Sequence, residues 1–241
     1  MRDPSTYGRL YLAPNTLGET SPLEVIPLSV KKQLEDIRHF VFEKEKAGRF
    51  FIKNLCPNLE QGSLYVKTLN KFTKVEELDE MLQPCLQGHH MALVTDAGCP
   101  GVADPGADLV TLAHKHGVEI VPMVGPSSIL LALMASGLNG QSFAFQGYLP
   151  IDKSARKQAI KKFEKISSST QQTQLFIETP YRNNELLKQL IQNLLPDTLL
   201  SVACDLTLPS EWIKTCKVAE WKKVRCDLHK RPAIFSFLRP H

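Results

Sequence analysis

The chain has 241 residues, of which 43% are hydrophobic and 22% are charged, and its formal net charge is +4. This composition excludes intrinsically disordered and collagen-like chains, and the length fits one large domain or two small ones. The charge is uneven. Up to Pro122 there are 13 Lys and Arg against 16 Asp and Glu, a net −3, and the remainder has 16 against 9, a net +7. A basic half is typical of proteins with anionic partners, although an ordinary solvated surface has the same pattern.

The cysteine and membrane signals are weak. Six cysteines are scattered without a Cys-x-x-Cys pair, which predicts free thiols, and the spacing of Cys216, Cys226 and His229 matches no compact zinc pattern. No metal site is therefore predicted. The first residues lack the apolar core of a signal peptide, and the longest apolar run, residues 129–135, is too short to cross a bilayer. We expect a cytoplasmic protein without membrane association.

The first half of the chain alternates short apolar runs with amphipathic segments. Ser29 is the expected N-cap of a helix that bears Val30, Leu34 and Ile37. Loops rich in Gly and Pro separate the remaining elements. Strands are predicted at residues 8–13, 39–43, 64–69, 91–95 and 118–123, and further helices at 45–55, 75–86 and around 109–113.

The second half continues the alternation. Strands are predicted at residues 143–146, 173–178, 199–203 and 233–238, and helices at 129–136, 154–166 and 183–194. The Ser-rich tract 167–172 is expected to be a mobile loop. Strands that alternate with helices predict an α/β protein with a largely parallel sheet. We place the boundary near Val124, which gives an N-terminal α/β domain of residues 1–123 and a C-terminal α/β domain of residues 124–241.

Two loops follow predicted strands and precede predicted helices. One carries Asp96, Ala97 and Gly98, and the other carries residues 125–128 (GPSS). Ligands of parallel sheets bind beyond the carboxyl ends of the strands, so the two loops predict a small-molecule site. Ordinary tight turns and capped helix N-termini are the alternative interpretation. Neither the dinucleotide fingerprint, the phosphate-binding P-loop nor the hydrolase nucleophile elbow occurs in the sequence.

Five stretches carry a resemblance to one family. They are residues 10–14 (LYLAP), 96–100 (DAGCP) with 104–106 (DPG), 121–128 (VPMVGPSS), 146–150 (QGYLP) and 177–182 (IETPYR). In sequence, order and spacing these stretches resemble the motifs of the tetrapyrrole (corrin/porphyrin) methylase superfamily. Within it the chain is most similar to the branch that methylates ribosomal RNA of the small subunit.

The resemblance implies a two-domain α/β fold with S-adenosyl-L-methionine held in a cleft between the domains, and a homodimer. It also implies a methyltransferase acting on RNA, by 2′-O-methylation of ribose. Tyr148 and Leu149 would help to form the substrate side, although packing at a hinge explains them equally well. The cofactor-binding positions carried over are Pro14 lining the cleft, Asp96, Gly98 and Val102 on the methionine and ribose side, Ser127 and Ser128 from the second domain, and Phe176, Ile177, Pro232 and Ala233 near the adenine.

Two segments depart from the RNA-methylating branch. Residues 42–46 read FEKEK where that branch has Ala-Glu-Asp-Thr-Arg, and residues 204–208 read CDLTL where it has Arg-Glu-Leu-Thr-Lys. The second segment has lost both basic residues. Two alternatives to an RNA substrate therefore stay open: a methyltransferase acting on a tetrapyrrole or another small molecule, and a cofactor-binding module without catalysis.

Removal of a ribose hydroxyl proton would be assisted by a base within hydrogen-bonding reach. Glu178 is the first candidate, and an ordinary ion pair with Arg182 is the alternative that we favour. Arg182 and a basic helix are also candidates for contacts with RNA phosphates, against the alternative of a solvated helix face. The basic side chains of that helix region are Lys153, Arg156, Lys157, Lys161 and Lys162.

Overall fold

The computed structural model describes residues 6–240 and divides into two compact units, the first ending at Ser127 and the second beginning at Ser128. The division lies shortly after the boundary that the sequence places before Val124. The intervening segment packs within the first unit: the Cys99 thiol lies 3.5 Å from the carbonyl oxygen of Pro126, and Gly125 lies against Pro14.

In the described part of the first unit, five strands form one sheet: β1 (Leu10–Ala13), β2 (His39–Phe42), β3 (Tyr65–Thr68), β4 (Met91–Val94) and β5 (Ile120–Pro122). Every neighbouring pair is parallel, and the order across the sheet is β3-β2-β4-β1-β5. The predicted parallel α/β arrangement is confirmed for this half. All carboxyl ends lie at one edge, so the loops that follow β1, β4 and β5 are neighbours.

Helices cover both faces of this sheet because successive side chains of a strand point to opposite faces. Phe40 and Phe42 face one core, while Val41 faces the other. Strands buried on both sides read as continuous apolar runs, and this is why the sequence reveals them. The helices are α1 (Leu28–Glu35) and α2 (Glu45–Leu55) on the face of Phe40, and α3 (Val75–Leu86) and α4 (Ala107–His116) on the face of Val41.

The expected N-cap of the first helix is wrong. Ser29 lies inside α1, and the capping position is Pro27, whose extended backbone directs its carbonyl oxygen to the N–H groups of Val30 and Lys31 at 3.0 and 3.3 Å. Proline has no N–H to satisfy, so it begins a helix at little cost. The helix therefore starts earlier than a serine cap would allow.

The second unit has a mixed sheet. Within the described residues its strands are β6 (Phe143–Tyr148), β7 (Thr173–Ile177), β8 (Leu199–Cys204), β9 (Trp212–Lys217) and β10 (Ala233–Leu238), in the order β6-β7-β10-β8-β9. Only the β6–β7 pair is parallel. The predicted largely parallel sheet is therefore wrong for this half. The link between β8 and β9, residues 205–211, is too short for a crossover helix, so β9 returns antiparallel.

The helices of the second unit are α5 (Ser128–Ser136), α6 (Lys153–Thr170), α7 (Asn183–Asn193) and α8 (Val218–Trp221). The loop predicted at 167–172 is wrong, because α6 continues to Thr170. Ser167 is fully buried and its hydroxyl accepts the N–H of Arg239 at 3.0 Å, while the Thr170 hydroxyl donates to the Ile166 carbonyl at 2.7 Å. Tertiary and local hydrogen bonds thus hold this polar tract in a helix. In residues 6–240 no helix is both long and apolar enough to cross a membrane.

Candidate functional site

Hydrogen bonds link the loop after β1 to the loop after β4 at the carboxyl edge of the first sheet. Asn15 and Gly98 exchange two backbone hydrogen bonds, with N···O distances of 2.9 and 3.2 Å. The buried Asn15 amide donates to the carbonyl oxygens of Thr95 and Asp96 at 2.9 and 3.1 Å. Asn15 is not among the cofactor contacts expected from the sequence. Asn15 directly follows a predicted strand and Pro14, and this position is the sequence feature that could have identified it.

Glycine is required at two positions of this edge. Gly98 has a φ of +69°, in the left-handed region that side chains disfavour. At Gly125, a Cβ atom would lie 2.2 Å from Cγ of Pro14, which is buried. The loop after β5 therefore approaches the loop after β1 through a glycine. Of the other expected cofactor contacts in this unit, Val102 is exposed and Ser127 is half-buried.

We expect Gly125→Ala to lower the free energy of unfolding by about 1–3 kcal/mol, because a proline ring cannot rotate away from the added methyl group. Urea titrations measure this change. Gly62→Ala is the matched control in the same unit, since a Cβ there meets only Glu60 Oε1, at 3.9 Å. The control is expected to stay within about 0.5 kcal/mol of the parent protein. Equal stabilities of the two variants would contradict the close packing of Gly125 on Pro14.

Three carboxylates and one ammonium group surround this edge. Lys44 forms an ion pair with Asp96, and the Asp96 N–H donates to Glu43 Oε2 at 3.3 Å. Burial, together with the charges of Glu43 and Asp96, raises the pKa of Asp104 to about 6, while Lys44 opposes this rise. The electrostatics therefore favour a ligand with cationic groups. Lys44 lies 52 positions from Asp96 in the sequence, and no local pattern predicts this pair.

A pocket of about 350 Å³ lies beside Asp96, a volume typical of small-molecule sites. Its walls come from the loop after β1, from α2 and from the start of the loop after β4. The lining residues are 15–20, Pro22, Ala47, Phe50, Phe51, Asn54, Asp96 and Ala97.

In the second unit, the carboxyl end of β7 and the start of β10 bring four expected residues to one sheet end: Ile177, Glu178, Pro232 and Ala233. Phe176 does not join them with its side chain. Its ring is fully buried and stacks on the Phe237 ring, with 5.3 Å between the ring centroids. Any ligand contact at Phe176 is therefore limited to backbone atoms.

Glu178 is paired with Arg182, as the favoured alternative expects. Its Oε1 accepts Arg182 Nη2 and the Thr179 N–H, each at 2.7 Å, and its side chain is 1% exposed. Among residues 6–240 nothing donates to the buried Glu178 Oε2, and nothing accepts from the buried Arg182 Nε. The role of Glu178 as a base stays a prediction.

Sequence reasoning missed a second side-chain network near Pro232, in which Asp205 is buried and Arg231 is half-buried. Arg231 Nε donates to Asp205 Oδ2 at 2.8 Å, and its Nη2 donates to the Ser210 carbonyl at 2.7 Å. Asp205 and Thr207 both have positive φ angles, +51° and +72°. Asp205 therefore holds the segment before Pro232 and Ala233 in place. The acid in the sequence CDLTL was the available signal, but its arginine partner is distant in the chain.

One predicted phosphate contact is wrong. Arg156 is 3% exposed, and its guanidinium donates to the carbonyl oxygens of Pro150 and Ile151 at 2.8 and 3.0 Å. The four lysines predicted with it are exposed and form no ion pair with a described residue; they are Lys153, Lys157, Lys161 and Lys162. Tyr148 is exposed and Leu149 is buried, while Ser128 begins α5 and is half-buried.

Within residues 6–240, no group of three or more His, Cys, Asp or Glu side chains is arranged to hold a metal ion. Burial raises the pKa of Cys56 and Cys204 to about 11 and that of Cys85 to about 12. These thiols are therefore neutral at physiological pH and belong to the cores.

The two α/β units, with a pocket and carboxylates at the strand ends of the first, define a two-domain α/β protein with a candidate small-molecule site. The sequence model of one protein family, the Tetrapyrrole (Corrin/Porphyrin) Methylases, matches residues 3–222. The chain belongs to this family and is an S-adenosylmethionine-dependent methyltransferase.

Relatives and solved structures agree with this placement. A protein of Vibrio cholerae named Ribosomal RNA small subunit methyltransferase I is 31% identical over 88% of this chain and 69% of its own length. The protein of that name from Escherichia coli O157:H7 is 28% identical over 90% of this chain and 71% of its own. The fold resembles that of uroporphyrin-III C-methyltransferase from Thermus thermophilus, solved with S-adenyl homocysteine, with 17% identity, a TM-score of 0.55, and coverage of 96% of this chain and 98% of that one.

The charges of the first unit fit the methyl donor. S-adenosylmethionine carries a sulfonium, an ammonium and a carboxylate group and is a net cation, and the carboxylates of Glu43, Asp96 and Asp104 outnumber the single neighbouring ammonium of Lys44. When bound, the donor supplies an electrophilic methyl group. The carboxylates would favour the cationic part of the donor, while the Asn15–Gly98 contact fixes the backbone around them.

The pKa of Asp104, raised to about 6, predicts a pH dependence of donor binding. Below pH 6 this carboxyl is protonated and neutral, and above it the carboxylate attracts a cation. We therefore expect the affinity for S-adenosylmethionine to rise about fivefold between pH 5 and pH 7, as measured by isothermal titration calorimetry. Asp104→Asn should flatten the profile. The same pH dependence in wild type and variant would contradict the assignment to Asp104.

Proposed function

We propose that the protein methylates RNA, with ribosomal RNA of the small subunit as the substrate and a ribose 2′-hydroxyl as the acceptor. The observation that carries this proposal is the 31% identity, over 88% of the chain, to a protein named Ribosomal RNA small subunit methyltransferase I. We propose the cytoplasm as the compartment, since ribosomal RNA is found there.

A basic face of α6 supports an RNA substrate. Lys153, Lys157, Lys161 and Lys165 recur every four residues, so they share one face of the helix, and all are exposed. The acid of this helix, Glu164, is buried and accepts the Thr198 hydroxyl and the Leu195 N–H, so it does not neutralise the face. The N-cap Asp152 is exposed beside Lys153, but no exposed acid lies among Lys157, Lys161 and Lys165, and such a row of lysines suits a phosphate backbone.

Methyl transfer requires that the acceptor oxygen be held in line with the methyl carbon, and positioning is the main contribution of the protein. The joined loops after β1 and β4 are suited to this, since Asn15 cross-links them through four hydrogen bonds. Glu178 is the proposed base for the hydroxyl proton. Its Oε2 has a free lone pair, while its Oε1 is held by Arg182 and Thr179.

The test uses small ribosomal subunits from a strain that lacks the protein, incubated with the protein and S-adenosylmethionine labelled in the methyl group. We expect label in the RNA, recovered as a 2′-O-methylnucleoside after digestion. Absence of label from every RNA would overturn the proposal. Label in a tetrapyrrole or another small molecule of a cell extract would favour the alternative substrate class.

We also propose a homodimer, which the family resemblance implies. Leu130 and Met134, one turn apart on α5, are 50% and 77% exposed, and an apolar stripe of this kind is typical of an interface. Light scattering of the purified protein is expected to give twice the chain mass of 27.0 kDa. A particle of 27.0 kDa would contradict the dimer.

A further inference from the structure

An exposed phenylalanine stands beside the pocket of the first unit. α2 buries Phe51, Ile52 and Leu55 in the core, yet Phe50 is 67% exposed. The family motifs do not include this residue, and no core contact explains it. An aromatic ring left in solvent beside a polar pocket is a candidate contact for a ligand.

Phe50 lines two adjoining cavities. It lines the pocket of about 350 Å³ next to Asp96, together with the polar side chains of Thr16 and Asn54. It also lines a depression of about 500 Å³ whose remaining walls are Lys44, Lys46 and Ala47. A flat group in this depression would have the ring on one side and lysine side chains at its edge.

The charges around Phe50 are segregated. Lys46 and Lys53 lie on α2, are exposed and form no ion pair with a described residue. Arg49 is already occupied by Glu45 and by the Gln61 carbonyl, each at 2.8 Å. The acids of the pocket, Glu19 and Asp96, lie on the loops after β1 and β4 instead. An anionic backbone is therefore favoured over α2 and disfavoured over the loops.

We propose that Phe50 stacks against a base of single-stranded RNA, with Lys46 and Lys53 facing its phosphates. Every base has a π-face, and exposed aromatic rings flanked by basic side chains are the common means of binding unpaired nucleotides. The base would lie in the depression beside Lys46 and Ala47, and its ribose would face the pocket next to Asp96 that is assigned to the methyl donor. The inference rests on the proposed function, since it names where the RNA substrate binds.

The test compares Phe50→Ala with wild type in the binding of a short fluorescein-labelled single-stranded RNA, measured by anisotropy in the presence of S-adenosylhomocysteine. We expect Phe50→Ala to weaken binding about 5- to 100-fold and Phe50→Tyr to restore it. Lys46→Gln and Lys53→Gln should each reduce the slope of log affinity against log salt by about 0.7. A duplex of the same sequence should bind wild type and Phe50→Ala equally, because its bases stay stacked.

Phe72 and Lys71 provide a matched control. Phe72 is 78% exposed, and the Lys71 ammonium lies 5.0 Å from its ring centroid, between β3 and α3. Phe72→Ala and Lys71→Gln remove the same chemistry away from the pocket and should leave RNA binding unchanged. A urea midpoint of Phe50→Ala equal to that of wild type verifies that the variant is folded.

The outcomes separate this inference from the proposed function. If wild type methylates RNA but Phe50→Ala binds it as tightly, or Phe72→Ala weakens binding as much, the stacking site is wrong and the RNA methyltransferase stands. If wild type neither binds nor methylates any RNA, the proposed function fails and the inference with it. Selective loss of tetrapyrrole binding in Phe50→Ala would reassign the pocket to a macrocycle.

Discussion

Replacing Asp96 by alanine is expected to weaken the binding of S-adenosylmethionine about 10- to 100-fold. Asp96 is one of three carboxylates at the carboxyl edge of the first sheet, and its side chain is only 26% exposed. Its removal leaves the Lys44 ammonium without a partner and reverses the local preference for a cation. The loop itself should persist, because the Asn15 amide binds the backbone carbonyl of residue 96 rather than its side chain.

Lys44→Gln provides the opposite charge change at the same place. It removes the ammonium group and leaves Glu43, Asp96 and Asp104 unneutralised, so donor affinity should stay the same or rise. Asp79→Ala is the control, because it removes a carboxylate that lies on α3 outside the site and is 65% exposed. Isothermal titration calorimetry measures all three variants. Affinity of Asp96→Ala within about twofold of wild type would remove Asp96 from the cofactor site.

The sequence revealed the parts of the fold in which local pattern and tertiary environment agree. Strands β1, β2 and β4 are buried on both faces and read as apolar runs, and the Gly-rich loop after β4 follows directly. β9 escaped notice because it is an edge strand with Lys214 and Lys217 among its six residues. An edge strand has a neighbouring strand on one side only and commonly carries charged side chains, so its apolar pattern is weak.

Side-chain roles were predictable only where the partner is close in the chain. The Glu178–Arg182 pair spans four positions and was expected. Arg156 reads as one more cation of a basic helix, and only the fold shows that it is turned inward to the Pro150 and Ile151 carbonyls. The links from Lys44 to Asp96 and from Arg231 to Asp205 join distant segments, and no helical or strand period encodes such pairs.

Replacing Arg182 by alanine is expected to lower the free energy of unfolding by about 3 kcal/mol, because it leaves a carboxylate buried without its counter-charge. The Glu178 side chain is 1% exposed, and the Thr179 N–H would be its one remaining donor among the described residues. Arg9→Ala is the control. It breaks an ion pair with Glu119 whose N···O distance is 2.8 Å, but both partners are about half exposed, so a loss of less than about 1 kcal/mol is expected. Equal losses in the two variants would contradict a desolvated Glu178.

Glu178→Gln separates the two roles of this carboxylate. The amide oxygen still accepts from Arg182 and Thr179, but the amide takes up no proton at neutral pH. If Glu178 is the base, kcat falls about 100-fold or more while KM for the donor and the urea midpoint stay close to wild type. If it serves only as the partner of Arg182, kcat stays within about threefold and the urea midpoint shifts instead. Glu178 Oε2 is the atom that would take up the hydroxyl proton in the first case, because Oε1 is held by Arg182 and Thr179 and Oε2 has no donor among the described residues.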